Sequence, residues 1–159
     1  MNSARTALAA ARRLGLERLD AQLLLAHVLG RDRAWLIAND DSLLDETALE
    51  RFEHLVSRRA RGEPFAYLVG AKEFHGLELQ VDARVLVPRP DTEVLVETVA
   101  ARLRNGDAPR VLDIGTGSGC IALSLLRELP RARALAVDVS AAALEVARTN
   151  AAALGLESR

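Results

Sequence analysis

Lysine is almost missing from this chain: Lys72 is the single one, so arginine carries nearly all of the positive charge. With 21 basic and 22 acidic residues the net charge is −1, which argues against a generic binder of polyanions. The arginine bias is read first as codon composition. One cysteine, Cys120, excludes an internal disulfide, and its place at a helix start suits a small packing residue rather than a nucleophile. No run approaches the roughly 18 consecutive apolar residues of a membrane span. The N-terminus spreads Arg5, Arg12 and Arg13 through an Ala/Leu pattern and lacks a signal-peptide core and cleavage site. A cytoplasmic location with no membrane partner is therefore expected. His27, His54 and His75 form no cluster with metal-ligand spacing, so no metal is expected. There is no internal repeat and no low-complexity segment.

What is present is an apolar half of 159 residues, enough for one ordinary domain or two small ones. Residues 4 to about 61 place apolar groups at helical spacing, and a four- or five-helix bundle is expected there. Asp20 is the expected cap of a helix through Leu23–Leu29 that Gly30 stops, and Trp35 is expected in the bundle core. Arg12, Arg13, Arg31 and Arg33 read as a solvated face. From Gly62 the helical period fails. Phe74, Leu77, Leu79, Val81, Val85 and Val87 alternate with polar residues and predict a β-hairpin linking two domains. Pro88 and Pro90 then hold an extended turn, and Asp91 or Thr92 is expected to cap a helix over 93–104. Strands are expected at 110–114 and 133–137, with helices at 119–129 and 141–154.

The densest signal is Val111-Leu112-Asp113-Ile114-Gly115-Thr116-Gly117-Ser118-Gly119-Cys120, a buried strand that breaks into alternating glycines and restarts as a helix. Alternating glycine lets backbone turn sharply and lets a ligand approach where a Cβ would collide, beside the unpaired amides of a helix start. A second strand ends in Asp138, nineteen residues after Gly119, placed to accept from the two hydroxyls of a ribose. Dinucleotide enzymes place the third glycine one residue later. The D-x-G-x-G-x-G form here resembles motif I of the class I S-adenosylmethionine methyltransferases. That resemblance implies S-adenosyl-L-methionine as cofactor, held by Asp113, Gly115, Thr116, Gly117, Ser118, Gly119 and Asp138.

A narrower resemblance rests on Gly62-Glu63-Pro64-Phe65-Ala66-Tyr67-Leu68-Val69-Gly70, on Glu73-Phe74-His75-Gly76 and on Pro88-Arg89-Pro90-Asp91-Thr92-Glu93. With the glycine loop, and with Asp20 to Gly30 in the first domain, these motifs stand in the order of the PrmC/HemK family, the peptide chain release factor glutamine methyltransferases. His75 departs from the aromatic residue more usual there. The resemblance implies an α/β protein: a helical substrate-recognition domain (1–68), a β-hairpin linker with the P-R-P-D-T-E loop (69–91), and the first part of a Rossmann-like cofactor domain (92–159). It implies methylation of the glutamine side-chain amide in the G-G-Q loop of class I release factors, no direct nucleic-acid contact, and a monomer when complete.

The family's N-P-P-Y motif, which binds the glutamine amide, does not occur in these residues, so no catalytic residue is assigned and the chain alone is expected to be inactive. Two readings compete with this one: an N-methyltransferase acting on nucleic acid or another protein, and a binding fragment without turnover. Arg89, Thr92 and Glu93 carry two open readings. They either line the cofactor pocket or build a rigid helix entrance in which Thr92 caps and Glu93 answers the helix dipole.

Overall fold

In the computed structural model, which describes residues 2–159, the chain divides into two compact units, Met1–Val69 and Gly70–Arg159. The first unit is helical: α1 (Ala4–Arg13), α2 (Arg18–Leu29), α3 (Arg33–Ala38), α4 (Glu46–Ala60) and α5 (Phe65–Val69). Short polar side chains start most of these helices by accepting from amides that have no partner within the helix. Ser3 and Thr6 form a reciprocal capping box at α1. Asp32 accepts from the Trp35 amide (2.6 Å) at α3, and Asp45 from the Ala48 amide (2.7 Å) at α4. Gly30 ends α2 in the left-handed region, as its place in the sequence predicts. Leu24, Leu25, Leu36, Phe52 and Val56 fill the core between the helices. Trp35 is only partly buried, packing against that core while the Arg31 guanidinium lies 5.3 Å from its ring centroid.

Asp20 does not cap α2. The helix begins three residues earlier than that cap would set it, with Glu17 in the cap position, and the Asp20 carboxylate instead accepts from Arg59 Nε on α4 (2.7 Å), tying two helices together. The segment after Gly62 also differs from expectation, since Pro64 opens one more helical turn, α5. Glu63 is fixed there by a two-pronged ion pair with Arg58 and by its carbonyl, which accepts from Arg59 Nη1.

The second unit begins with an antiparallel hairpin, β1 (Ala71–Phe74) and β2 (Leu77–Gln80), in the register Ala71↔Gln80 to Phe74↔Leu77. His75 takes a positive φ of 50° in its turn, a conformation open to histidine but hard for a bulky branched residue. The alternation through Val81 to Val87 does not become strand. Asp82 turns the chain: its carbonyl accepts from the Val85 amide, and its carboxylate accepts from the amide and guanidinium of Arg84. After a 3-10 turn at Pro90–Thr92 comes α6 (Glu93–Leu103). Thr92 occupies the cap position with helical backbone and makes no capping hydrogen bond, because the preceding turn already follows a helical course.

The unit closes with β3 (Arg110–Ile114), α7 (Cys120–Glu128), β4 (Arg133–Val137) and α8 (Ala141–Ala153). β3 and β4 are parallel, in register from Arg110↔Arg133 to Ile114↔Val137. Parallel strands need a crossover between them, which α7 supplies. Phe74, Leu79, Val96 and Leu125 form the core of this unit. Along the strands Leu112, Ile114, Leu135 and Val137 point the other way and remain accessible, Ile114 to 77 %. That face of the pair is uncovered. Among the described residues no helix is long and apolar enough to cross a membrane.

Candidate functional site

The end of β3 lies beside the end of β4, so the glycine loop and Asp138 come together. The Gly115 and Thr116 amides both donate to the Val137 carbonyl (2.8 and 3.0 Å), which carries the chain off the strand. Three consecutive loop residues are then held from three different places: β3, the turn after β4, and α8. Thr116 Oγ1 donates to the buried Asp113 carboxylate on β3 (2.7 Å). The Gly117 amide donates to Asp138 Oδ2 (2.9 Å). The Ser118 carbonyl accepts from Asn150 Nδ2 on α8 (2.9 Å).

The glycines divide by role. Gly115 and Gly117 have positive φ, 78° and 56°, and a Cβ added to either would meet no heavy atom within 4 Å. The backbone there faces open space that a ligand can enter. Gly119 also has positive φ, 81°, yet its added Cβ would lie 3.0 Å from Leu123 Cδ1 and 3.4 Å from Ala147 Cβ. It lets α7 and α8 approach, so packing as well as turning requires it.

Asp138 is half-buried and accepts twice, from the Gly117 amide and, through Oδ1, from the Ser140 amide (2.9 Å). These backbone donors, Ser140 first, hold its carboxyl below the usual carboxylate range. It is thus a fixed anion at the mouth of the loop, with lone pairs left to accept from ligand hydroxyls. Cys120, next to the last loop glycine, has its thiol pushed up chiefly by burial, the opposite of what a nucleophile needs.

The P-R-P-D-T-E residues lie elsewhere in their hydrogen bonding. Arg89 is exposed, and its carbonyl accepts from the Thr92 amide (3.0 Å). Glu93 Oε1 accepts from the His75 amide (3.3 Å), joining the start of α6 to the hairpin turn. Among the described residues no hydrogen bond links Arg89, Thr92 or Glu93 to residues 115–119. His27 and His54 are exposed, and no group of His, Cys, Asp and Glu able to hold a metal occurs among the described residues.

Sequence reasoning missed Asn150. It interrupts the apolar row Val146, Asn150, Leu154 at helical spacing, which was the available signal of a buried amide that needs partners.

Comparison with known proteins gives two matches, one on each side of residues 71–89. Residues 1–70 match the PrmC N-terminal domain, and residues 90–159 match the Methyltransferase small domain. Among curated relatives, a release factor glutamine methyltransferase of Bordetella pertussis is 50% identical over 145 residues, covering 91% of this chain and 54% of the relative. One of Burkholderia pseudomallei is 52% identical over 136 residues, covering 86% of this chain and 48% of its own length. A bifunctional methyltransferase of Rickettsia felis is 42% identical over 160 residues, covering 84% of this chain and 30% of the relative. The chain therefore spans about half the length of the release factor methyltransferases it matches.

Proposed function

Because this chain belongs to the release factor glutamine methyltransferase family, we propose that the whole protein methylates the side-chain amide of the glutamine in the G-G-Q loop of class I peptide release factors. S-adenosyl-L-methionine supplies the methyl group from its sulfonium centre. The observation that carries this reading is the glycine loop fixed at Thr116, Gly117 and Ser118 while Gly115 and Gly117 face open space.

The residues present fit that cofactor. Asp138 offers a ribose an anion already oriented by two amides. Gly115 and Gly117 leave room for backbone to approach a ligand that a Cβ would displace. Asp113, buried and bonded to Thr116, sets the start of the loop and would offer a carboxylate to the cationic amino group of the cofactor's methionine part, directly or through water. The helical unit is assigned to docking the release factor.

An amide nitrogen is a poor nucleophile, since its lone pair is delocalised into the carbonyl. Transfer to it is chiefly a matter of orientation, by carbonyl acceptors that hold its N–H groups in line with the donor. In the family the N-P-P-Y motif provides these acceptors, and it is absent from these 159 residues. We therefore assign cofactor and substrate docking to this part of the protein and amide binding to the part that carries the motif. No His, Cys or Ser here is given the role of base, because the amide can lose its proton after transfer.

Calorimetric titration of S-adenosylhomocysteine into the chain tests the cradle. Saturable one-to-one binding is expected. Its absence in the folded chain and in the chain extended through N-P-P-Y alike would remove the assignment.

A further inference from the structure

A loop rich in glycine is held in one conformation only if groups outside it hold it, since its own side chains supply little restraint. Asp113 and Asp138 hold Thr116 and Gly117. The third residue, Ser118, is held from a helix to which the motif pattern assigns no part in the site.

Asn150 lies on the buried face of α8 and is 1 % exposed. Its side-chain amide makes three bonds to backbone. Nδ2 donates to the Ser118 carbonyl (2.9 Å) and to the Gln80 carbonyl (3.0 Å), and Oδ1 accepts from the Gln80 amide (2.7 Å). Both Nδ2 protons are thereby used. No other uncharged side chain of this size presents two donors and an acceptor, so the requirement is for asparagine and not merely for something polar.

The two partners belong to different pieces of the fold. Gln80 is the last residue of β2, and both of its backbone polar groups turn to Asn150. Ser118 lies between two glycines of positive φ, and its carbonyl shares a peptide plane with the Gly119 amide, which donates to the Thr116 carbonyl (2.8 Å). Fixing that carbonyl fixes the plane, and with it the course of the loop from Thr116 to the start of α7.

We propose that Asn150 is a positioning residue for the cofactor loop, and that it couples the order of the loop to the seating of the β1–β2 hairpin. This rests on the loop being the cofactor cradle. The coupling works in both directions: a ligand that stills the loop also tightens the end of β2, and a hairpin pulled from its seat loosens the loop.

The test uses the 159-residue chain and two variants, Asn150→Ala and Asn150→Asp. The aspartate keeps shape and acceptor while removing both donors when ionised, so it separates hydrogen bonding from packing. At a temperature where each protein is folded, the Gly119 amide should exchange with solvent about tenfold faster in both variants without ligand, and S-adenosylhomocysteine should bind about tenfold more weakly. A lower melting temperature with wild-type exchange and affinity would overturn the proposal, since that is what packing alone predicts.

If neither variant folds, the wild-type chain decides. Saturating S-adenosylhomocysteine should slow exchange of the Gln80 amide severalfold, and an unchanged Gln80 rate would overturn the coupling. If the wild-type chain binds no S-adenosylhomocysteine, the cofactor assignment fails separately, while exchange in the ligand-free variants still tests the role of Asn150.

Discussion

Gly117 and Asp138, twenty-one residues apart in sequence, are joined by a 2.9 Å hydrogen bond from the loop amide to the carboxylate. The acid that the glycine pattern predicts for ribose binding therefore also pins the centre of the loop before any ligand arrives. Its other oxygen pins Ser140, the cap of α8. One carboxylate thus holds the glycine loop and the helix that carries Asn150.

Asp138→Ala should weaken S-adenosylhomocysteine by about tenfold or more, through loss of the ribose acceptor and release of the Gly117 amide. Titration of wild type and variant checks this, and equal affinities in two folded proteins would refute it. The pH dependence has a definite sign. The carboxyl is held below its ordinary range in the folded chain, so its contribution is complete above that range. It is lost as pH falls through the lowered value, so loop amide exchange, taken relative to the intrinsic amide rate at each pH, should accelerate only on the acid side of the ordinary carboxylate range.

Gly117→Val and Gly119→Val should fail in different ways. The first adds a branched side chain at φ 56° facing open space, so ligand binding should be lost while the helical unit melts as before. The second forces a Cβ against Leu123 and Ala147, so the melting temperature of the second unit should drop even without ligand. Paired melting curves and titrations separate the two outcomes; unaltered melting in Gly119→Val would contradict the packing role.

Phe52, 1 % exposed in the first core, sets the scale for the helical unit. Phe52→Ala should cost about 3–5 kcal/mol there by lost burial and cavity formation. Urea unfolding followed by helical circular dichroism measures it. A loss under about 1 kcal/mol would mean that the site collapses without leaving a void.

Methyl transfer to a release factor should be absent from the 159-residue chain and present in a chain extended through N-P-P-Y. Incorporation of labelled methyl from S-adenosylmethionine checks it. Comparable turnover by both would show that amide binding does not need that motif.

The parts of the site legible in the sequence are those whose cause is local. A strand, alternating glycines, a helix and an acid at the end of the next strand stand at fixed intervals, so β3, the loop, α7 and Asp138 could be placed from spacing alone. Asn150 could not, because its partners, Ser118 and Gln80, are backbone groups 32 and 70 residues away. Asp20 looked like a helix cap by residue type, but the Arg59 guanidinium claims it across the bundle. The alternation from Val81 to Val87 has the period of a strand, yet Asp82 and Arg84 lock a turn inside it, and a local hydrogen-bonding side chain overrides the pattern.

The separate core of residues 2–69 has a consequence for how the chain is made. Every residue of Met1–Val69 leaves the ribosome before the first strand of the second unit, and its helices are joined by short connections. β3, by contrast, has no partner until β4 has been added, and Asn150 reaches Gln80 and Ser118 later still. At roughly 5–20 residues per second, the next 90 residues, Gly70–Arg159, take about 5–20 seconds, long compared with the milliseconds in which small helical units form. The helical unit is therefore folded and exposed to partners while the glycine loop is still unheld, and brief proteolysis of stalled nascent chains should find the first 69 residues protected before any of the rest.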